Sequence, residues 1–194
     1  MENMVNINKD FWKDKRVFIT GNTGFKGSWL ALWLNSMGSN VVGYSNKIYP
    51  NNIHDINKTC ETIIGDIRDF EKLKKSIQKF KPQILVHLAA QPLVRESYVF
   101  PKETYETNLI GTLNVYEAVL TLESKCFLLS ATTDKVYFNK EQLWGYKETD
   151  RLGGQDPYSN SKSCVELMSY SYKHSFYNNS IHKLYTVRAG NVIG

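Results

Sequence analysis

The chain has 194 residues, 42% apolar and 22% charged, which excludes a disordered chain and leaves room for one buried core. No apolar run approaches a membrane span, and the polar start MENMVNINKDFWKDK has no signal-peptide core, so the expectations are no membrane partner and a cytoplasmic location. The net charge of +5 is spread out; Lys72, Lys74, Lys75, Lys79 and Lys81 interleave with Leu73, Ile77 and Phe80, which reads as a solvated helix face rather than a nucleic-acid surface.

In chain order, Arg16–Thr20 (RVFIT) reads as a buried strand. Residues 25–37 read as a helix with Leu30, Trp33, Leu34 and Met37 on one face, stopped by Gly38. A second strand covers 40–44, a polar loop or short helical turn 48–58, and a third strand 62–65. Asp69 caps a helix running to Phe80, with Phe70, Leu73, Ile77 and Phe80 as its stripe. A fourth strand follows at 83–88 and a long helix at 102–122, with Leu109, Leu113, Tyr116 and Leu120 inward. A fifth strand at 126–130, a helix at 158–176 and a sixth strand at 185–188 complete the pattern. Apolar strands alternating with helices predict an α/β, doubly wound parallel sheet, a Rossmann fold of order 3-2-1-4-5-6. The long irregular segment 138–155 is expected to be a functional lid.

The first turn carries the most specific signal. In VFITGNTGFKGSWL, Gly21, Gly24 and Gly27 follow a strand and open a helix. The first glycine allows a tight turn, the second lets backbone approach a pyrophosphate, and the third lets helix and strand pack closely. The N–H groups at the helix start would face the phosphates. The second strand, however, ends at Ser45 and Asn46 rather than Asp or Glu, and no Arg stands there. This end therefore leaves NAD against NADP open, with a hydroxyl or an amide available to a ribose. Asp66, in GDIRD, ends the third strand on the adenine side, where a plain cap is the competing reading.

Tyr158 and Lys162 stand four apart in YSNSK, on one face of a helix. The lysine charge would favour the tyrosinate, making Tyr158 a base near neutral pH. Thr132, Thr133, Asp134 and Lys135 leave the fifth strand at the crevice mouth, where the last two could be an acid–base pair or an ordinary surface ion pair. His87, inside an apolar strand, reads as a core histidine. Cys60, Cys126 and Cys164 lack metal-ligand spacing, so no metal is expected and the thiols read as reduced packing groups.

GNTGFKG, LAAQPLVRESY, TNLIGTLNVYEA with Asn108, TTDKVY, YSNSK and VRAGNVIG together resemble the extended short-chain dehydrogenase/reductase family, and within it the branch of dehydratases acting on CDP-glucose. The resemblance runs from about Trp12 to Gly194. It implies an NAD-dependent internal redox reaction giving CDP-4-keto-6-deoxyglucose. Tyr158, helped by Lys162, would take the proton of the sugar 4-hydroxyl while hydride passes from C4 to NAD, with Thr133 bonded to that hydroxyl. Neutral Lys135 would then remove the C5 proton and protonated Asp134 would expel the 6-hydroxyl as water. The resemblance further implies that Gly21, Gly24, Phe25, Lys26, Gly27, Asp66, Ile67, Ala89 and Ala90, with Tyr158 and Lys162, line the cofactor. Asn191 would reach the substrate phosphates.

Relatives of this kind continue well past the position of Gly194, so residues 1–194 are expected to be the cofactor-binding domain, truncated before most of the C-terminal substrate-binding part. Full-length members commonly pair as homodimers through helices such as 102–122 and 158–176. A catalytically silent cofactor-binding module is the competing reading, and a sugar epimerase is disfavoured because it has no need for the Asp134–Lys135 pair.

Overall fold

The computed structural model describes residues 8–48 and 60–192. The segment 49–59, which holds nearly all of the polar loop expected at 48–58, lies outside them, as do residues 1–7 and the last two. After a short helix α1 (Lys9–Trp12), the chain forms β1 (Arg16–Thr20), α2 (Phe25–Ser36), β2 (Asn40–Ser45), β3 (Glu61–Ile64), α3 (Phe70–Phe80) and β4 (Ile84–His87). Then come α4 (Val94–Val99), α5 (Pro101–Tyr105), a π turn (Glu106–Ile110), α6 (Gly111–Leu120), β5 (Phe127–Thr133), α7 (Pro157–Tyr172), a second π turn (Lys173–Tyr177) and β6 (Lys183–Ala189). The six strands are parallel in the order β3-β2-β1-β4-β5-β6, as the alternating pattern predicts.

The order follows from what each strand must bury. Val17, Phe18 and Ile19 are fully enclosed, so β1 belongs in the middle, covered on both faces. One core layer joins Phe18, Leu73, Ile77, Leu85, Val115 and Leu128; the other joins Val17, Ile19, Ala31, Leu34 and Val86. Burying each of the larger of these side chains contributes about 1.5–3 kcal/mol. Asp69 caps α3 by accepting from Lys72 N at 3.1 Å, and Leu73 and Ile77 are its buried stripe.

Two helical faces differ from expectation. On α2, Trp33 is exposed, while Gly27, Ser28, Ala31 and Leu34 face the sheet, because the close approach of helix and glycine turn admits only small residues at the start. In the predicted 102–122 helix, the π turn rotates the inward face. Thr104, Asn108, Thr112, Val115 and Tyr116 are buried, whereas Leu109, Leu113 and Leu120 are only partly covered.

The same architecture brings the C-terminal ends of β1, β4 and β5 together. The strand order reverses between β1 and β4, so a crevice opens there at the carboxyl edge of the sheet.

Candidate active site

The three glycines of the first turn have three different environments. Gly21 has φ +75°, and a Cβ there would stand 2.7 Å from Ala89 N, so it serves both the turn and the close passage of the segment after β4. At Gly27 a Cβ would stand 2.1 Å from Gly21 O, so helix and turn touch through backbone. At Gly24 the nearest atom is Gly21 O at 3.4 Å, an ordinary contact. Nothing among the described residues requires Gly24 to be bare. It is the N-cap of α2, whose first N–H groups have no partner within the helix. A bare backbone at the mouth of a helix N-terminus suits a diphosphate, for which a methyl here would be an obstacle.

Beneath the turn lies a polar support that the sequence did not reveal. Asn22 is fully buried; its amide donates to Thr62 Oγ1 at 2.8 Å and its carbonyl accepts from Ser45 Oγ at 2.9 Å. Ser45 Oγ also accepts from Thr23 N at 3.3 Å. Gly43 makes room, since a Cβ there would meet the Asn22 amide at 2.0 Å. Ser45 is thus turned inward and 4% exposed, and it is not the ribose ligand that the sequence offered. A buried amide needs partners, and Ser45 supplies one. Asn46 remains exposed at the strand end.

At the end of β3, Asp66 is gripped by Arg68, whose Nη2 donates to Oδ2 at 2.7 Å and whose backbone N donates to Oδ1 at 2.8 Å. The Arg68 hydrogen bond holds this carboxyl below its usual range, against some burial. The side chain of Ile67 packs into the core against Gly111 and its carbonyl accepts from Asn114 Nδ2 at 3.0 Å, so contact with a ligand falls to its backbone N–H. Ala89 and Ala90 are half-buried beside the glycine turn, and the N–H groups of Leu88 and Ala89 reach Thr20 Oγ1. Phe25 and Lys26 are exposed at the first turn of α2.

His87 is a satisfied core histidine, as its apolar strand predicts. Thr112 Oγ1 donates to Asn108 O at 2.5 Å, so it accepts from His87 Nε2 at 2.9 Å; Nδ1 then accepts from Thr20 Oγ1 at 2.6 Å. Burial, with the Lys162 charge added, drives its pKa down to about 3 and keeps the ring neutral. Asn108, on the π turn, accepts from Gln91 N at 2.8 Å and donates to Ser161 Oγ at 2.9 Å, tying the segment after β4 to α7.

Helix α7 begins with Asp156, whose carboxylate accepts from Ser159 N at 2.9 Å, followed by Pro157 at the first helical position. This start puts Tyr158 and Lys162 one turn apart, facing the ends of β5 and β4. Lys162 is buried and donates to Ala131 O at 3.4 Å. Burial, then repulsion by Lys26 across the crevice, lowers it to about 8, with Glu166 opposing. Two like charges near enough to repel would both be relieved by an anion at the crevice.

Tyr158 departs from the sequence reading. Burial pushes its phenol above the ordinary value; a hydrogen bond with Thr133 opposes this, while Asp134 and Asp156 add to it. The Lys162 ammonium, which the sequence reading has favouring the phenolate, donates to Ala131 O at 3.4 Å. A phenol so placed needs a positive group beside it to act as a base near neutrality.

Thr133, Asp134 and Lys135 lie at the end of β5 and in a tight 3₁₀ turn, Asp134–Val136. Thr133 Oγ1 donates to Asp134 Oδ1 at 3.0 Å, and Lys135 Nζ lies 3.3 Å from both Asp134 Oδ1 and Asn191 Oδ1. The Asp134–Lys135 pair is open to water, with side chains 53% and 40% exposed. Tyr158, Lys162, Thr133, Asp134, Lys135 and Asn191 thus converge on one crevice, whose other wall is the glycine turn with Lys26. Asp66 and Ile67 lie at its far end, beyond β2.

The segment 138–155, expected as a lid, is pinned at its base. Phe138 N donates to Arg151 O and Gly153 N to Val136 O, both at 2.9 Å, and Tyr137 and Leu152 form an antiparallel bridge. Its end also docks on α7, Gly154 N donating to Ser163 Oγ at 3.0 Å.

The family model for GDP-mannose 4,6 dehydratase matches residues 18–187. CDP-glucose 4,6-dehydratase of Salmonella typhimurium is 51% identical over 97% of this chain and 55% of its own length. Among solved structures, the UDP-glucose 4-epimerase of Brucella ovis superposes with a TM-score of 0.80 at 24% identity, over 91% of this chain and 52% of that one. The UDP-glucose 4-epimerase of Thermus thermophilus, solved as an NAD complex, gives a TM-score of 0.75 at 27% identity, over 89% and 54%. The chain spans about half the length of the curated relatives it matches.

Proposed function

The chain belongs to the GDP-mannose 4,6 dehydratase family, and we propose that it carries the cofactor-binding and reacting half of a nucleotide-sugar 4,6-dehydratase that converts CDP-glucose to CDP-4-keto-6-deoxyglucose. The observation that carries this reading is the convergence of Tyr158 and Lys162 with Asp134 and Lys135 on one crevice facing the glycine turn. The 51% identity to a CDP-glucose 4,6-dehydratase supports the choice of sugar nucleotide.

NAD fits the residues present: Gly24 offers a bare approach, α2 its free N–H groups, Lys26 and Lys162 their charges, and Gly21, Gly27, Ala89 and Ala90 the small side chains of the cradle. Asp66 and the backbone of Ile67 would meet the adenine end, and Phe25 would border the diphosphate. When bound, NAD supplies a hydride acceptor that is regenerated within one turnover and a positive nicotinamide ring. Tyr158 takes the proton from the 4-hydroxyl, which Thr133 orients. Lys162 holds its proton and would stabilise the phenolate through its positive charge. The resulting 4-ketone acidifies the C5 proton, which Lys135 removes, while Asp134 gives a proton to the departing 6-hydroxyl; the C5–C6 double bond so formed would take the stored hydride at C6 and the proton back from Lys135 at C5. Asn191 contacts the phosphates of the sugar nucleotide.

Desolvation of the exposed Asp134–Lys135 pair falls to the bound sugar and to sequence beyond this half. By the same reading residues 1–194 form one cofactor-binding domain, the full-length protein works in the cytoplasm, and it pairs as a homodimer through the outer faces of α5, α6 and α7.

The test is incubation of the full-length protein with CDP-glucose and NAD, read by mass spectrometry for the loss of one water. No conversion would refute the reading. Lys135→Ala should permit oxidation at C4 and stall elimination, and unaltered product formation in that variant would remove Lys135 from the base role.

A further inference from the structure

We propose that Glu166 and Arg188 are positioning residues whose ion pair clasps the Asp134–Lys135 turn to the helix that carries Tyr158 and Lys162. Nothing in the reaction consumes either side chain, yet both are enclosed: the side chains are 5% and 18% exposed. Glu166 lies one turn beyond Lys162 on α7. Its Oε2 accepts from Arg188 Nη2 at 3.0 Å and from Thr186 Oγ1 at 3.3 Å, and its Oε1 accepts from Thr132 Oγ1. Thr132 is the residue immediately before Thr133. The carboxylate thus ties α7 to the strand end leading into the turn.

Arg188 ties the other end. Its Nη1 donates to the Tyr137 hydroxyl and to Glu148 O, each at 3.0 Å, and its guanidinium sits 5.0 Å from the Tyr137 ring centroid. Tyr137 immediately follows the Asp134–Val136 turn. It stacks at 5.0 Å on Tyr146, whose hydroxyl accepts from Lys140 N at 2.8 Å, so the excursion 138–155 hangs on the same clasp. Strand register puts Arg188 beside Thr132 and Ala189 beside Thr133. The chain then runs along the turn: a Cβ on Gly190 would lie 3.5 Å from Asp134 Oδ2, and Asn191 reaches Lys135.

A buried ion pair is by itself weak evidence for stability. What distinguishes this one is the destination of its remaining hydrogen bonds, which flank the reacting turn on both sides. Only a planar fork can hold a carboxylate on one nitrogen while donating to a phenol and a carbonyl from another, so lysine is no equivalent.

The inference rests on the proposed dehydratase reading for its kinetic arm but not for its structural arm. In the full-length protein, Arg188→Met, Arg188→Lys and Tyr137→Phe are compared with the unaltered protein. The structural arm is trypsin cleavage at Lys140, Lys147 and Arg151 without substrate, which should quicken about tenfold in Arg188→Met and a few-fold in Tyr137→Phe. The kinetic arm is single turnover with CDP-glucose. Oxidation at C4, seen as absorbance of reduced nicotinamide, should keep its rate to within about threefold, whereas elimination should slow by about tenfold to a hundredfold. Arg188→Lys should fall between. If Arg188→Met does not fold, the two milder variants give the same ordering.

Equal slowing of both half-reactions with unchanged cleavage would overturn the clasp, as would a Tyr137→Phe variant identical to the unaltered protein in both arms. Absence of product from the unaltered protein would refute the dehydratase reading instead, and the cleavage pattern would still judge the clasp.

Discussion

Gly24 and Gly27 lie on the same turn but should fail in opposite ways when replaced by alanine. The Gly27→Ala methyl would stand 2.1 Å from Gly21 O and 2.7 Å from Asn22 Cα, both backbone atoms that no rotamer can clear. Overpacking of this kind costs about 1–3 kcal/mol, against which alanine's helix preference returns up to about 1 kcal/mol. Contacts this short with backbone place the cost at the upper end, about 3 kcal/mol, so about 2–3 kcal/mol remains, and at about 2–4 °C per kcal/mol for a chain of this size the melting temperature should fall by roughly 4–12 °C. Among the described residues the Gly24→Ala methyl meets nothing closer than 3.4 Å, and the backbone there, φ −78° and ψ 171°, suits any residue. Only the weaker N-cap is lost, a few tenths to about 1 kcal/mol. With NAD at a hundred times its dissociation constant, the unaltered protein should gain about 2.7 kcal/mol, or roughly 5–11 °C. If the methyl lowers affinity a hundredfold, the Gly24→Ala gain at the same concentration shrinks to about 0.4 kcal/mol, roughly 1–2 °C. Differential scanning fluorimetry with and without NAD reads both effects. A full NAD-induced rise in Gly24→Ala would refute the diphosphate role of the bare backbone, and a Gly27→Ala protein melting with the unaltered one would refute the packing argument.

Other perturbations follow from the same geometry. His87 is held neutral, with its pKa moved from 6.5 down to about 3, so the unfolded chain binds the extra proton first. Stability should therefore be complete above about pH 6.5 and fall by a few kcal/mol towards pH 3; His87→Asn should flatten that part of a pH–denaturation curve. Lys162 loses its proton at about 8, partly because Lys26 faces it, so Lys26→Met should move that titration upward when followed by NMR of labelled lysine. A titration that stays in place would show that the two side chains do not share the crevice. Asn22→Ala strands the Ser45 and Thr62 hydroxyls and should cost about 1–3 kcal/mol in urea denaturation.

The sheet order was legible because β1 and β4 are continuous apolar runs and because the glycine turn marks the first crossover. The turn also announced its ligand class, since a strand–glycine–helix sequence has few other physical uses. Less legible were features that depend on direction rather than residue type. Ser45 reads as a polar strand end, but only the fold shows that it turns inward to satisfy Asn22. The π turn at Glu106–Ile110 shifts a helical face by part of a turn, and no residue in ETNLI signals it. Glu166 carries no signal in a helix otherwise rich in serine and tyrosine, and Arg188 is only the end of the strand expected at 185–188. Their pairing depends on strand register between β5 and β6, which propensity does not encode. The Tyr158–Lys162 spacing was visible, whereas the aim of the Lys162 ammonium at Ala131 O was not.

The central claim is that the crevice joining Tyr158, Lys162, Asp134 and Lys135 moves one hydride within one sugar. Its direct measurement uses the full-length protein and CDP-glucose deuterated at C4, with mass spectrometry of the product. The account predicts a 4-keto-6-deoxy product that retains the deuterium at C6. Product lacking the label, or a label that exchanges between sugar molecules, would contradict it.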